Sequence, residues 1–193
     1  MIDTKEKLYK YLENDRIALG KKRKKPKFFG DEIWKYQILL RKYEYLSNDK
    51  KFLNRLKKFF VKFNYHRYSL KLGFSIPINV FESGLSIAHY GTIVVNKNSR
   101  VGKNCRIQEN VTIGATNGNK KAPLIGDNVF IGSGTKIIGD ITIANNVCIG
   151  AGSVVVKSVL ENGITIAGVP AKKVSQNNSY SNLNSELASK GLL

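Results

Sequence analysis

Ile125-Gly126-Asp127-Asn128-Val129-Phe130-Ile131-Gly132-Ser133-Gly134-Thr135-Lys136-Ile137 places an aliphatic residue at every sixth position. The same frame extends outward through Val101, Ile107, Ile113, Ile143, Ile149 and Val155, with position 119 as its one gap. A small residue often follows the aliphatic one, and the fifth place is usually small or β-branched, as at Cys105, Val111, Val129, Thr135, Val147 and Ser153. Six is neither a helical nor a simple strand period. It marks a parallel β-helix, in which three short strands and three tight turns make one coil and glycine supplies the turn conformations. Such a unit buries its aliphatic side chain only by stacking on its neighbours, so the fold class is mainly β, with a small α-helical region ahead of it.

The chain of 193 residues is long enough for one repeat domain and an appendage. Its two cysteines make no disulfide framework, and Cys105 falls on a fifth place, where a small core residue in a reducing cytoplasm is expected. No apolar stretch approaches the roughly 18 residues of a membrane span, and the polar start has no signal-peptide hydrophobic region. These features predict a cytoplasmic protein. The net charge is +18, and residues 1–72 hold 21 of the 32 Lys and Arg against 8 of the 14 acids. The densest run, Lys21 to Lys25, precedes Phe28 and Phe29. No nucleic-acid-binding motif accompanies it, so a nucleic-acid partner is not expected; the run reads as a solvated loop or as a peripheral contact with an anionic membrane.

Residues 1–72 read as three helices. The first runs from Thr4 to Ala18 and closes at Gly20, and the second is capped by Asp31 and carries Ile33, Tyr36, Leu40, Tyr43 and Leu46 at helical spacing. The third, from about Lys50 to Leu70, aligns Leu53, Leu56, Phe60 and Phe63 as a packing stripe. Gly73 and Pro77 deliver the chain into a repeat domain at 73–174. The Ser- and Asn-rich segment 175–193 has little to bury and is expected to be a polar, flexible tail.

Two irregularities interrupt the repeat. The frame through Phe81 and Ile87 joins the frame through Val95 only if the unit from Ile87 to Val94 is expanded by two residues. Between Ile113 and Ile125 the segment Ala115 to Pro123 is too polar to form two buried strands and reads as a protruding loop. Departures from a strict repeat are where function is expected. His89, one of two histidines, lies in the expanded unit; His66, the other, lies in the third helix and is given no task. His89 and Glu109 occupy the third place of corresponding units, so they should stack about one strand spacing, about 4.8 Å, apart. A carboxylate so placed orients an imidazole and stabilises its protonated form. No metal site is expected.

At these residues the chain resembles the hexapeptide-repeat acyltransferases, and within them the serine acetyltransferase-like branch. The resemblance spans about Gly73 to Val174. It rests on the segment from Gly84 to Val95, on Val111-Thr112-Ile113-Gly114, on Ile131-Gly132-Ser133-Gly134, on the segment from Ile149 to Val155, and on Ala167-Gly168-Val169-Pro170-Ala171-Lys172. The helical segment from Ile38 to Tyr45 looks like the lead-in of sugar O-acetyltransferases from surface-polysaccharide gene clusters. The resemblance implies a left-handed parallel β-helix that forms a homotrimer, with acetyl-CoA in the groove between subunits. His89 falls on the family's catalytic histidine, the general base that takes the proton of an acceptor hydroxyl. Ala115, Ser133 and Ala151 match positions whose backbone lines the pantetheine arm, and Lys172 and Lys173 are implied partners of the CoA phosphates.

The departures from that branch also carry information. Phe74 and Ala88 stand where the serine-specific enzymes resembled here carry aspartates, and Lys121-Ala122 stands where they carry an Arg-His pair. A zwitterionic acceptor needs charged partners, because a buried charge without one is costly. The sequence thus predicts acetyl transfer to a sugar hydroxyl of a cell-surface polysaccharide or its precursor. Serine O-acetyltransferase and a non-catalytic β-helix scaffold are the alternatives.

Overall fold

The computed structural model describes residues 1–48, 55–116 and 120–193. Helices α1 (Lys5–Ala18), α2 (Glu32–Asn48) and α3 (Arg55–Leu72) lead into the strands. The first strands are β1 (Phe74–Ser75), β2 (Ser86–Ile87), β3 (Ile93–Val95), β4 (Arg100–Val101), β5 (Arg106–Ile107) and β6 (Val111–Gly114). After the loop come β7 (Leu124–Ile125), β8 (Phe130–Ile131), β9 (Lys136–Ile138), β10 (Thr142–Ile143), β11 (Cys148–Ile149), β12 (Val154–Val155), β13 (Thr165–Gly168) and β14 (Ala171–Ser175).

The chain visits three sheets in rotation. β1, β3, β6, β9 and β12 form the first, β4, β7 and β10 the second, and β2, β5, β8, β11 and β13 the third, all parallel; β14 closes the third antiparallel. This is a parallel β-helix. Its coil is eighteen residues: Ile125 pairs with Ile143, Ile131 with Ile149 and Ile137 with Val155. The six-residue period is thus one face per unit, and Ile107, Ile113, Ile131, Ile137 and Ile149 are wholly buried inside. Each such burial contributes about 1.5–3 kcal/mol. Ile87 pairs with Ile107, twenty residues on, so the two extra residues lie where the broken frame placed them. Ile107 pairs with Ile131, twenty-four on, which leaves a longer excursion after β6. Residues 115, 116 and 120–123 carry no strand, and 117–119 lie outside the described residues.

Glycine is not the sole source of turn geometry. Asn104, Asn128 and Asn146 take positive φ at one corner of successive coils, and their amides hydrogen-bond in a ladder, Asn104 Nδ2 to Asn128 Oδ1 at 2.8 Å and Asn128 Nδ2 to Asn146 Oδ1 at 2.9 Å. Asparagine tolerates the left-handed region and, unlike glycine, links one turn to the next.

The helices close the open end of the coil. α1 begins where the Thr4 hydroxyl accepts from the Lys7 N–H at 3.2 Å. Gln37 on α2 donates to the Leu85 carbonyl at 2.7 Å and accepts from the Ile87 N–H at 3.2 Å, so its amide substitutes for a neighbouring strand at the edge of β2. Arg41 is fully buried, pairs with Asp15 at 2.8 Å and Glu44 at 3.0 Å, and donates to the carbonyls of Phe81 and Glu82, each at 2.7 Å. Asp15 accepts from the N–H groups of Gly84 and Leu85. Burial opposes the charge on Arg41, but the two carboxylates outweigh it and hold the guanidinium cationic. Among the described residues no helix is long and apolar enough to cross a membrane.

Three expectations need correction. Asp31 does not cap α2 with its side chain: the carboxylate turns back to accept from the Lys27 N–H and to pair with Lys21 and Arg23, while its carbonyl takes the Lys35 N–H. The expected packing stripe of α3 faces outward, with Leu56, Phe60 and Phe63 at 70%, 56% and 53% exposure; Leu53 lies outside the described residues. Tyr65 decides that rotation, because its ring stacks on Tyr36 and its hydroxyl donates to the Ile76 carbonyl, turning the opposite face out. The segment 175–193 does not stand apart. Leu183 and Leu187, from a 3-10 turn and α4 (Ser185–Ser189), pack on Ile17 and Ala18, and Asn184 donates to the Ile17 carbonyl.

Removing Arg41 leaves Asp15 and Glu44 buried without a cation. Arg41→Met should therefore cost about 3–5 kcal/mol, seen as a lower midpoint of chemical denaturation, whereas Lys42→Met at the exposed neighbour leaves the midpoint in place.

Candidate active site

Register in the third sheet builds the site. Glu109, Ser133 and Ala151 each lie two residues beyond the paired series Ile107, Ile131 and Ile149, so they form a column at one corner of successive coils. His89 lies two residues beyond Ile87 in the expanded unit, whose Gly91 is the residue set against the Glu109 side chain. His89 is exposed, and its ring has no hydrogen-bond partner among the described residues. Glu109 Oε1 accepts from the Ser133 hydroxyl at 2.5 Å, while its buried Oε2 has no partner among the described residues. The Ser133 hydrogen bond holds the Glu109 carboxyl below its ordinary range, its own backbone adds to this, burial opposes it, and the charge of His89 lowers it further.

The other site residues predicted from sequence are spread more widely. Ala115 follows β6, one corner on from the column. The Ser133 N–H is taken by Gln108 Oε1 at 3.0 Å and its carbonyl by the Gly152 N–H, so its backbone is already engaged. Lys172 and Lys173 lie exposed on β14, and Lys173 pairs with Glu161 at 2.6 Å. Phe74 is a core residue, edge-on to Tyr36, and Lys121 pairs with Asp140 at 3.1 Å. Cys105 is buried, and burial pushes its thiol far up, which suits a packing residue.

A cleft of about 280 Å³ opens beside His89. His89, Tyr90 and Arg106 form its β-helix wall, and Lys21, Asp31 and Trp34 its helical wall. Of these six, residue-by-residue reading marked only His89 as a site residue, because the others come from segments that meet only in the fold. Arg106 left one legible signal: it is a cation at an outward strand position beside the inward Ile107, one residue before the unit that holds Glu109. Lys21 and Arg23 both pair with Asp31, at 2.7 and 2.8 Å, so the basic run is partly neutralised where it borders the cleft. A larger, open groove of about 390 Å³ crosses β4, β7 and β10, but its lining holds no group that titrates near pH 7.

Fold and site together define a hexapeptide-repeat protein with a histidine at the mouth of a cleft. The family model for the bacterial transferase hexapeptide (six repeats) matches residues 122–157. The serine acetyltransferase of Staphylococcus xylosus is 38% identical over 94 residues, covering 48% of this chain and 43% of that protein. The chain spans less than half the length of the curated relatives it matches. Among solved structures, Neisseria gonorrhoeae serine acetyltransferase is 30% identical with a TM-score of 0.64, over 89% of this chain and 68% of that one. The serine acetyltransferase of Brucella abortus strain S19 in complex with coenzyme A is 27% identical with a TM-score of 0.68, over 90% and 70%. The chain belongs to the hexapeptide-repeat acyltransferases.

The link between Ser133 and Glu109 has a pH signature. Because the folded-state value of Glu109 lies below its ordinary 4.5, the stability this link contributes is present above that pH and is lost as pH falls through the lowered value. Ser133→Ala should raise the Glu109 value in a carbon-13 carboxyl titration. The stability difference between wild type and variant should shrink on acidification over the same window.

Proposed function

We propose that this chain is an acetyl-CoA-dependent O-acetyltransferase with His89 as general base. The observation that carries the reading is the place of His89, exposed at the cleft mouth and near enough for its charge to act on the Glu109 carboxyl. His89 accepts the proton of the acceptor hydroxyl as that oxygen attacks the thioester carbonyl carbon. The carbon–sulfur bond then breaks, the departing CoA sulfur takes the proton back, and no covalent acyl-enzyme is required. Glu109 Oε2, which has no partner among the described residues, is suited to receive a ring N–H of His89 and fix its orientation. The coenzyme A named for the Brucella relative supports the donor. In the same proposal the coil is left-handed, the assembly is a trimer, and CoA lies along Ala115, Ser133 and Ala151 towards Lys172 and Lys173. With the Ser133 amide engaged, the pantetheine meets that residue through its surface rather than through its N–H.

L-Serine is the acceptor that the relatives' names favour. A specific observation favours a second reading, a sugar hydroxyl: Phe74 is buried against Tyr36 and Ala88 has no polar side chain, so neither position supplies the carboxylate that the serine-specific pattern carries. Thiol release from acetyl-CoA, followed with L-serine and with glycan acceptors side by side, separates the two. His89→Ala is expected to fold normally and to lower acetyl transfer by roughly 10² to 10⁴-fold, the scale of general-base catalysis. Near-normal turnover in the folded variant would remove His89 from the mechanism.

A further inference from the structure

Among the described residues, Arg106 is the one strong cation lining the cleft that pairs with no carboxylate. It is half-buried on β5, its neighbours along the outer face of the sheet are Ser86 and Phe130, and its one hydrogen bond among the described residues is a long one, Nη1 to Ser86 Oγ at 3.3 Å. None of the neighbouring carboxylates pairs with it among the described residues. Asp31 holds Lys21, Arg23 and the Lys27 N–H; Glu32 faces Tyr90 and Lys71; Glu109 accepts from Ser133. A half-buried guanidinium with most of its five donors unfilled is unfavourable unless an anion fills them, and its planar fork matches a carboxylate with two parallel bonds.

We propose that Arg106 binds a carboxylate carried by the acceptor and thereby sets the acceptor hydroxyl beside His89. This rests on the O-acetyltransferase reading and makes the acceptor an acid, either an amino acid or an acidic sugar. Binding calorimetry on the CoA-saturated protein tests it with two pairs of probes, L-serine against L-serinamide and glucuronate against glucose. In at least one pair the acid should bind about tenfold more tightly than its neutral counterpart, as expected for charge-assisted bidentate contacts. The responding pair identifies the source of the carboxylate. Arg106→Gln should erase the difference while CoA affinity and melting temperature stay unchanged, and Arg106→Lys should retain part of it. Equal binding within both pairs, no binding of either acid, or discrimination that survives in Arg106→Gln would overturn the assignment. Failure of the transfer reading looks different: acid discrimination would persist without thiol release.

The outward face of α3 carries an independent inference. Leu56, Phe59, Phe60, Phe63 and Leu70 are all more than half exposed, and Lys57, Lys58 and Lys62 lie among them. The helix contains no Asp or Glu, so a second copy of it would set like charges against each other. We infer that this face rests on an anionic lipid surface, with the aromatic rings at the level of the headgroups and the lysines on the phosphates. Co-sedimentation of the full chain with phosphatidylglycerol vesicles should be strong at low salt and absent with phosphatidylcholine alone. Partitioning should fall about tenfold in about 0.5 M salt, where screening is short-ranged. The triple changes Phe59→Ser, Phe60→Ser, Phe63→Ser and Lys57→Gln, Lys58→Gln, Lys62→Gln should each abolish it with helix content preserved by circular dichroism. Absence of sedimentation, or equal sedimentation of wild type and variants, would refute the inference. A smaller particle mass for the Phe variant by light scattering would also refute it and assign the face to contact between copies.

Discussion

A parallel β-helix has an open end, and at that end the backbone of the first coil has no strand to pair with. From Phe81 to Ile87 its carbonyls and N–H groups meet the side chains of Asp15, Gln37 and Arg41, which are buried and hydrogen-bonded to it directly. Unpaired edge groups would be costly if buried and would template association if exposed. The helical region is therefore part of the β-helix's hydrogen bonding. The buried charges are tolerable because each finds both a counter-charge and main-chain partners.

That same docking makes the cleft. Because α2 is held against β2 by Gln37, Trp34 and the loop containing Lys21 and Asp31 face the outer surface of the third sheet beside His89. The candidate site residues belong to the coil and the opposite wall belongs to the helical region. The donor and acceptor sides of the proposed reaction are consequently set by different constraints: stacking register fixes the residues from Glu109 to Ala151, and the polar clamp on the first coil fixes what can approach them.

The two-residue expansion after Ile87 shows how a strict repeat accommodates a site. Regular units place a turn residue at each corner and leave the next coil directly above it. The enlarged unit keeps Ile87 in register with Ile107 yet lengthens the turn that carries His89, so the imidazole stands clear of the stack while Glu109 remains within it. The expected stacking of the two does not form: Gly91 takes the place against Glu109, His89 reaches it only through its charge, and the hydrogen bond of Glu109 goes to Ser133.

The periodic part of the chain was legible from residues alone. A six-residue spacing reports directly on burial, so the coil, its inward isoleucines, the expanded unit at His89 and the break after Ile113 follow from the spacing without further information. Tertiary structure decided what has no period. Leu56, Phe60 and Phe63 read as a packing stripe until Tyr65 and Tyr36 claimed the other face of α3; the Ser- and Asn-rich end read as free until Leu183 and Leu187 met the end of α1; and Asp15, Arg41 and Glu44 carry no local mark of burial. The place of Arg106 in the cleft arises in the same way. The physical reason is common to all of these: local sequence records which side chains need to leave water, while the partners that satisfy a buried charge or cover an apolar face come from segments that meet only in the folded chain.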